Sequence, residues 1–125
     1  YKTLENMVGY VELLIKKLKL PYRKLKLCGG DLGFTSALTF DLEVFSVGQN
    51  KWLEVSSISN FETFQANRLK LRFRDNDNKI KLAHTLNGSA LALPRIMASL
   101  LEINQTDKGI IIPDILVPYT GFKTI

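Results

Sequence analysis

The chain has 125 residues, of which 46% are hydrophobic and 23% are charged, and its formal net charge is +5. These proportions are those of a folded domain and exclude a disordered segment. The single cysteine excludes an internal disulfide, and no apolar run reaches the ~20 residues of a membrane span. With no signal-peptide pattern at the start, we expect a cytoplasmic protein without a membrane segment. The positive charge is compatible with a nucleotide or nucleic acid partner, although charge alone favours the simpler interpretation that the lysines are solvated surface residues.

The first predicted element is an amphipathic helix over residues 4–18, where apolar side chains recur at helical spacing. Thr3 is a candidate N-cap, and Pro21 prevents the helix from continuing. A short strand over residues 22–28 follows, and the glycine pair after it indicates a turn.

Alternating apolar and polar residues then predict an antiparallel hairpin with strands at 38–45 and 52–56. A period of two places Glu54 and Ser56 on the same face of the second strand.

In the second half, residues 59–62 have the form of a capping box and predict the start of a short helix. A second hairpin is predicted from residues 69–74 and 80–86, on either side of an Asp/Asn-rich turn. An apolar helical pattern follows, and Pro94 belongs in its first turn, so this helix should begin close to Leu91. The order of elements predicts an α+β fold in which helices flank an antiparallel sheet.

Three features carry candidate chemistry. The carboxylate of Glu54 beside the hydroxyls of Ser56 and Ser57 suits a hydrated Mg²⁺ ion and a nucleotide, although a solvent-facing strand edge has the same residues. Residues 85–89 lead towards a helix start, where glycine and free N–H groups favour an anion; Asn87 or Ser89 as a simple helix cap is the alternative.

The third feature is Arg95, whose planar fork of donors matches phosphate oxygens in the first turn of that helix. An ordinary surface arginine is the alternative. Since His84 is the only histidine, neither a histidine metal cluster nor a supported Ser-His-Asp triad is present, and the sequence has no Walker loop.

Taken in order, several blocks of this sequence resemble those of the seryl-tRNA synthetases. The blocks are DLGF at 31–34, TFDLE at 39–43, EVSSISNF at 54–61, FQANR at 64–68, LRFR at 71–74, TLNGSALALPR at 85–95 and LEINQ at 101–105. The run at 85–95 is similar to that family's version of class II motif 3. The resemblance covers nearly the whole chain and implies that residues 1–125 are the C-terminal portion of a class II catalytic domain.

The resemblance also implies individual roles in binding ATP and Mg²⁺. Glu54 would hold Mg²⁺ that bridges the ATP phosphates, with Ser57 near the metal. Val55, Ser56 and Ser57 would line the ATP site, and Arg95 would clamp the far phosphate. Glu54 and Arg95 would thus be the catalytic residues.

Asn87 and Ser89 would bind L-serine through its hydroxyl. The implied reaction activates serine with ATP to seryl-adenylate and then transfers the seryl group to tRNA(Ser). Class II motifs 1 and 2 and the N-terminal coiled-coil arm lie outside residues 1–125. We therefore expect a longer, homodimeric parent enzyme and an inactive isolated chain. Two alternatives remain: a non-catalytic synthetase-like interaction module and, on charge alone, a basic nucleic-acid-binding domain.

Overall fold

The computed structural model describes residues 1–125 as four α-helices and eight β-strands. The elements are α1 (Lys2–Lys17), β1 (Tyr22–Lys26), β2 (Leu38–Ser46), β3 (Lys51–Glu62), α2 (Phe64–Leu69), β4 (Arg72–Arg74), β5 (Ile80–Leu82), β6 (Thr85–Gly88), α3 (Leu93–Ile103), β7 (Gln105–Thr106), β8 (Gly109–Ile110) and α4 (Val117–Thr120). None of the helices combines the length and the apolar character of a membrane span.

A four-stranded antiparallel sheet of order β1-β2-β3-β6 forms the centre of the fold. Two small antiparallel hairpins, β4–β5 and β7–β8, lie outside it. The α+β class with helices against an antiparallel sheet is therefore confirmed. The second predicted hairpin is only partly correct, because Leu86 belongs to β6 in the central sheet rather than to β5.

The core lies on one face of the central sheet, where α1 and α3 cover it. Helix α1 contributes Leu4, Val8, Val11 and Ile15, which recur at helical spacing as the sequence predicts. The sheet and α3 contribute Leu42, Val44, Val55, Ile58 and Ile96. The predicted N-cap was wrong, since α1 begins at Lys2 after Tyr1 and has no side-chain cap.

A β-bulge in β3 changes which side chains share a face. Leu42 of β2 lies opposite Ser56, but the next residue, Glu43, lies opposite Glu54, so Val55 is an extra residue in β3. One inserted residue reverses the alternation beyond it. The prediction that Glu54 and Ser56 share a face was therefore wrong. Ser57 shares the face with Glu54, because their partners Asp41 and Glu43 are two residues apart on the regular strand β2.

The predicted helix start at residues 59–62 was also wrong. These residues are the end of β3, and α2 begins at Phe64. Ser59 pairs with Thr39 on one side and with Asn87 on the other, and its hydroxyl lies 2.7 Å from the Thr39 hydroxyl. Pairing on both sides satisfies the backbone groups that a helix would otherwise use, so tertiary context overrides the local capping signal.

Two further boundaries differ from the sequence prediction. The strand predicted at 69–74 is limited to β4, because Leu69 ends α2 and Lys70 adopts a left-handed conformation with φ of 55°. Helix α3 begins at Leu93 rather than Leu91, with Pro94 in its first turn as predicted. Its N-cap is Ala92, so neither Asn87 nor Ser89 is a helix cap.

Glu102 of α3 stabilises the turn between β2 and β3 through two hydrogen bonds. Its carboxylate accepts the Ser46 hydroxyl at 2.9 Å and the Gly48 N–H at 3.2 Å. Because Ser46 is fully buried, Glu102→Ala should leave a buried donor unpaired and lower the free energy of unfolding by about 1–3 kcal/mol. Urea denaturation of the protein would measure this loss. Glu102→Gln keeps an acceptor oxygen and should recover part of it, and equal losses for both variants would contradict this role.

Asp75 orders the β4–β5 turn through its carboxylate. It accepts the backbone N–H groups of Asp77 and Lys79 and forms an ion pair with Lys81 at 2.6 Å. The Lys81 contact and these N–H groups hold the pKa of Asp75 below its ordinary value of 3.8.

Because the folded pKa is the lower one, the Asp75 carboxylate stabilises the hairpin above about pH 3.8, and this contribution is lost as the pH falls through the folded pKa. In an NMR titration we expect Asp75 to titrate below that value, together with the Lys79 amide. Asp77→Asn should leave the titration in place, whereas a midpoint at or above 3.8 would contradict the prediction.

Candidate active site

The open face of the central sheet, opposite the core, carries a polar cavity of about 490 Å³. Strands β1, β2 and β3 and the loop between β1 and β2 line it. The lining residues are Leu25, Leu27, Asp31, Gly33, Ser36, Thr39, Asp41, Glu43, Glu54, Ser57 and Ser59. Because only two of these eleven side chains are hydrophobic, the cavity suits a polar or charged ligand.

Three cross-strand pairs form the floor of this cavity: Thr39 with Ser59, Asp41 with Ser57 and Glu43 with Glu54. Directly opposite residues of antiparallel strands share a face of the sheet. On β6, Asn87 lies opposite Ser59 and extends the same polar face by one strand. The sheet therefore brings Glu54, Ser57 and Asn87, which are distant in sequence, to one surface.

The segment after β6 continues along β3 and brings the remaining predicted residues to it. The Ser89 N–H donates to the Ser57 carbonyl at 3.4 Å, and the Ala92 N–H donates to the Val55 carbonyl at 2.6 Å. In the first turn of α3, the Arg95 guanidinium donates to the Glu54 carbonyl. Residues 89–92 thus carry Ser89 and Arg95 to the same part of β3.

Val55 and Ser56 are placed differently from the other predicted site residues. Both side chains are 1% exposed and lie on the core side of β3. The Ser56 hydroxyl donates to the Ser89 carbonyl at 2.5 Å and so holds the segment that bears Ser89. Only the backbone of Val55 and Ser56 is left to contact a ligand on the open face, because the bulge turned their side chains away.

Gly88 has a packing role that the sequence interpretation missed. A Cβ atom at this position would lie 2.8 Å from Cγ1 of Ile58, its cross-strand partner on the core face. The absence of a side chain therefore lets β6 pack against the core beside β3. The expectation that this glycine also lets a ligand approach the backbone stays a prediction.

Two acidic residues of β2 were not singled out from the sequence. Glu43 forms an ion pair with Arg23, whose guanidinium lies 4.9 Å from the centre of the Trp52 ring. Asp41 is only 8% exposed, and its Oδ1 has no hydrogen-bond partner. The alternation of residues 38–45 places both on the polar face, and this signal could have identified them.

A second cavity, of about 410 Å³, lies beside α2 and contains none of the predicted site residues. The Arg68 guanidinium stands 3.7 Å from the centre of the Phe64 ring there. His84 is exposed and lies outside both cavities. No group of three or more His, Cys, Asp or Glu residues is spaced to hold a metal ion without other ligands.

Residues 1–104 match the family described as the tRNA synthetase class II core domain for G, H, P, S and T. The chain belongs to this family. It is 53% identical to a serine–tRNA ligase of Salinibacter ruber and 48% identical to one of Finegoldia magna, and each match covers the whole chain and 30% of the relative. The chain thus spans about 30% of the length of these curated relatives.

Solved structures give the same result for this class II core. The seryl-tRNA synthetase from Pyrococcus horikoshii complexed with ATP has a TM-score of 0.92 and 42% identity, covering 99% of this chain and 28% of that one. The cytoplasmic serine–tRNA ligase from Naegleria fowleri in complex with AMP has a TM-score of 0.90 and 30% identity, covering 99% of this chain and 30% of that one. The resemblance to seryl-tRNA synthetases is therefore confirmed.

Proposed function

We propose that this chain is the C-terminal portion of the catalytic domain of a serine–tRNA ligase, which uses ATP to join L-serine to tRNA(Ser). One observation carries the proposal: in a chain 53% identical to such a ligase, Glu54, Ser57 and Asn87 share the polar face, and hydrogen bonds to the backbone of β3 hold Ser89 and Arg95 beside the same stretch of that strand. The complete enzyme would be longer than this chain, cytoplasmic and homodimeric, in keeping with the family.

ATP would bind over β3 at the start of α3. Glu54 offers an exposed carboxylate and Ser57 a hydroxyl on the same face, and such oxygen donors are those that Mg²⁺ prefers. One carboxylate and one hydroxyl leave positions for water and phosphate oxygens, so the donor set fits this cation. When bound, Mg²⁺ would neutralise phosphate charge.

Arg95 is suited to the far phosphate of ATP. One guanidinium nitrogen donates to the Glu54 carbonyl, which fixes the side chain beside β3. A guanidinium has five N–H donors, so several remain for phosphate oxygens. Arginine at this position would bind and orient the nucleotide through its fixed positive charge.

Asn87 and Ser89 would bind the hydroxyl of L-serine. Both side chains are exposed at the end of β6, beside the nucleotide region on β3. Alanine lacks the hydroxyl and would leave these polar groups without a partner, which is the physical basis for rejecting it.

In the first step a serine carboxylate oxygen attacks the α-phosphorus of ATP, and the bond to pyrophosphate breaks. A hydroxyl at the tRNA 3′ end then takes the seryl group and releases AMP. The residues of this chain would act by positioning the reactants and neutralising charge.

Serine-dependent ATP–pyrophosphate exchange tests the proposal when it is run on this chain and on the full-length protein side by side. We expect exchange in the full-length protein alone, with serine and not with alanine, because class II motif 2 lies outside residues 1–125. Exchange in neither would instead indicate a non-catalytic interaction module. Exchange by the isolated chain would contradict the expectation that the reaction needs parts of the protein outside residues 1–125.

Replacing Ser89 with alanine in the full-length protein should lower kcat/KM for serine by about 10- to 100-fold, the effect of losing one hydrogen bond to a ligand. The KM for ATP should change little and serves as the internal control. The Ser56 hydroxyl bonds to the Ser89 backbone rather than to its side chain, so the segment should keep its place. An unchanged serine dependence would remove Ser89 from the serine pocket.

A further inference from the structure

Asp41 carries a carboxylate oxygen that makes no hydrogen bond in this structure. The residue lies on the polar face of β2, lines the cavity and is only 8% exposed. Its Oδ1 is buried without a partner. Buried polar atoms in native proteins are nearly always paired, because an unpaired one has lost its water without replacement. A specific partner for this oxygen is therefore expected when the site is loaded.

The residues around Asp41 limit which side chain could donate a hydrogen bond to its carboxylate. Its cross-strand neighbour on β1 is Leu25, which has no side-chain donor. The Arg23 guanidinium is engaged with Glu43, and the next pair along the face, Thr39 with Ser59, is closed by its own hydrogen bond.

Ser57 lies directly opposite Asp41 on β3. Opposite residues in antiparallel strands have Cβ atoms about 4.5–5.5 Å apart, so a carboxylate and a hydroxyl can meet across the pair. Ser57 is half-buried, and Asp41 is the more deeply placed of the two.

We propose that Asp41 is a positioning residue that accepts the hydroxyl hydrogen of Ser57 and thereby turns the Ser57 oxygen lone pairs towards the cation beside Glu54. This inference rests on the proposed nucleotide site. A hydroxyl has one hydrogen and two lone pairs, so donating the hydrogen to a carboxylate decides where the lone pairs point. Partners of this kind fix a metal ligand in place, and their loss lowers metal affinity by about 10- to 100-fold.

The test measures binding of Mn²⁺·ATP to the full-length protein by electron paramagnetic resonance, with Mn²⁺ in place of Mg²⁺. Asp41→Ala should weaken this binding by about 10- to 100-fold and leave the KM for serine nearly unchanged. Glu43→Gln removes one charge from the same strand and face, but its carboxylate is already paired with Arg23. If Glu43→Gln lowers Mn²⁺·ATP affinity less than Asp41→Ala does, loss of negative charge on this face is not by itself the cause.

The Ser57→Ala background separates positioning from general support of the fold. If Asp41 acts through the Ser57 hydroxyl, Asp41→Ala should cause no further loss of Mn²⁺·ATP affinity there. Asp41→Asn keeps the volume and one acceptor oxygen. Asp41→Asn should therefore lower Mn²⁺·ATP affinity less than Asp41→Ala does, and it should cause no loss in the Ser57→Ala background. If the alanine variant does not fold, the asparagine variant still tests whether Asp41 acts through Ser57.

An unchanged affinity for Asp41→Ala, or the same loss with and without the Ser57 hydroxyl, would overturn the inference and leave the proposed function standing. If the unsubstituted protein does not bind Mn²⁺·ATP, the proposed nucleotide site and this inference both fail.

Discussion

Replacing Glu54 with glutamine in the full-length protein is expected to lower serine-dependent ATP–pyrophosphate exchange by about 100- to 1000-fold, the effect of losing one preorganised charge-stabilising group. Glu54 is the only carboxylate proposed to hold the cation. Glutamine keeps its size but not its charge. Arg95 bonds to the Glu54 backbone carbonyl, so this bond does not depend on the replaced side chain. The loss should therefore report the missing charge.

The Glu54 experiment has a control for charge and one for mechanism. Asp107 is an exposed acid between β7 and β8 that does not line the polar cavity, and Asp107→Asn should leave exchange unchanged. If weaker cation binding causes the defect, a higher Mg²⁺ concentration should partly restore ATP–pyrophosphate exchange by the Glu54→Gln variant. Because Glu54 is exposed, the free energy of unfolding should change by no more than about 0.5 kcal/mol. Exchange at the unaltered rate would exclude Glu54 from the metal site.

Replacing Gly88 with valine should lower the free energy of unfolding by about 1–3 kcal/mol, because it overpacks the sheet at the core. A Cβ at this position would lie 2.8, 3.0 and 3.1 Å from three atoms of the Ile58 side chain. Ile58 is 1% exposed and lines, with Gly88, a cavity of about 150 Å³, so its side chain can yield only within that space. Either Ile58 or strand β6 would have to shift, and a shift of β6 would move Asn87 and Ser89 with it.

Urea denaturation measures the Gly88 effect, and Gly9 provides the matched control. A Cβ at Gly9 meets nothing within 4 Å, so Gly9→Val should change stability by no more than about 0.5 kcal/mol. In an Ile58→Ala background the two nearest of the three colliding atoms, Cγ1 and Cγ2, are gone, and Gly88→Val should then cost less than it does alone. Equal costs in both backgrounds would show that contact with Ile58 is not the cause.

The sequence named candidate site residues but not how they are arranged. The resemblance to seryl-tRNA synthetases indicated Glu54, Ser57, Asn87, Ser89 and Arg95, and the structure places them on β3 and beside it, on β6, the segment after β6 and the start of α3. The resemblance gave no sign that Val55 and Ser56 face the core. The alternation of β2 predicts that Asp41 lies on the polar face. Its proposed role as a positioning residue depends on its burial, which only the folded chain defines.

Features whose signal is local were determined by the sequence alone. The buried stripe of α1 follows from helical spacing, and Pro94 occupies the first turn of α3 because only there is its missing N–H without consequence. The tertiary structure decided what depends on pairing between distant strands. A single extra residue in β3, visible only in its register with β2, moved Ser57 rather than Ser56 to the face of Glu54. Pairing with both β2 and β6 likewise made residues 59–62 a strand, because backbone hydrogen bonds on two sides outweigh a local helix cap.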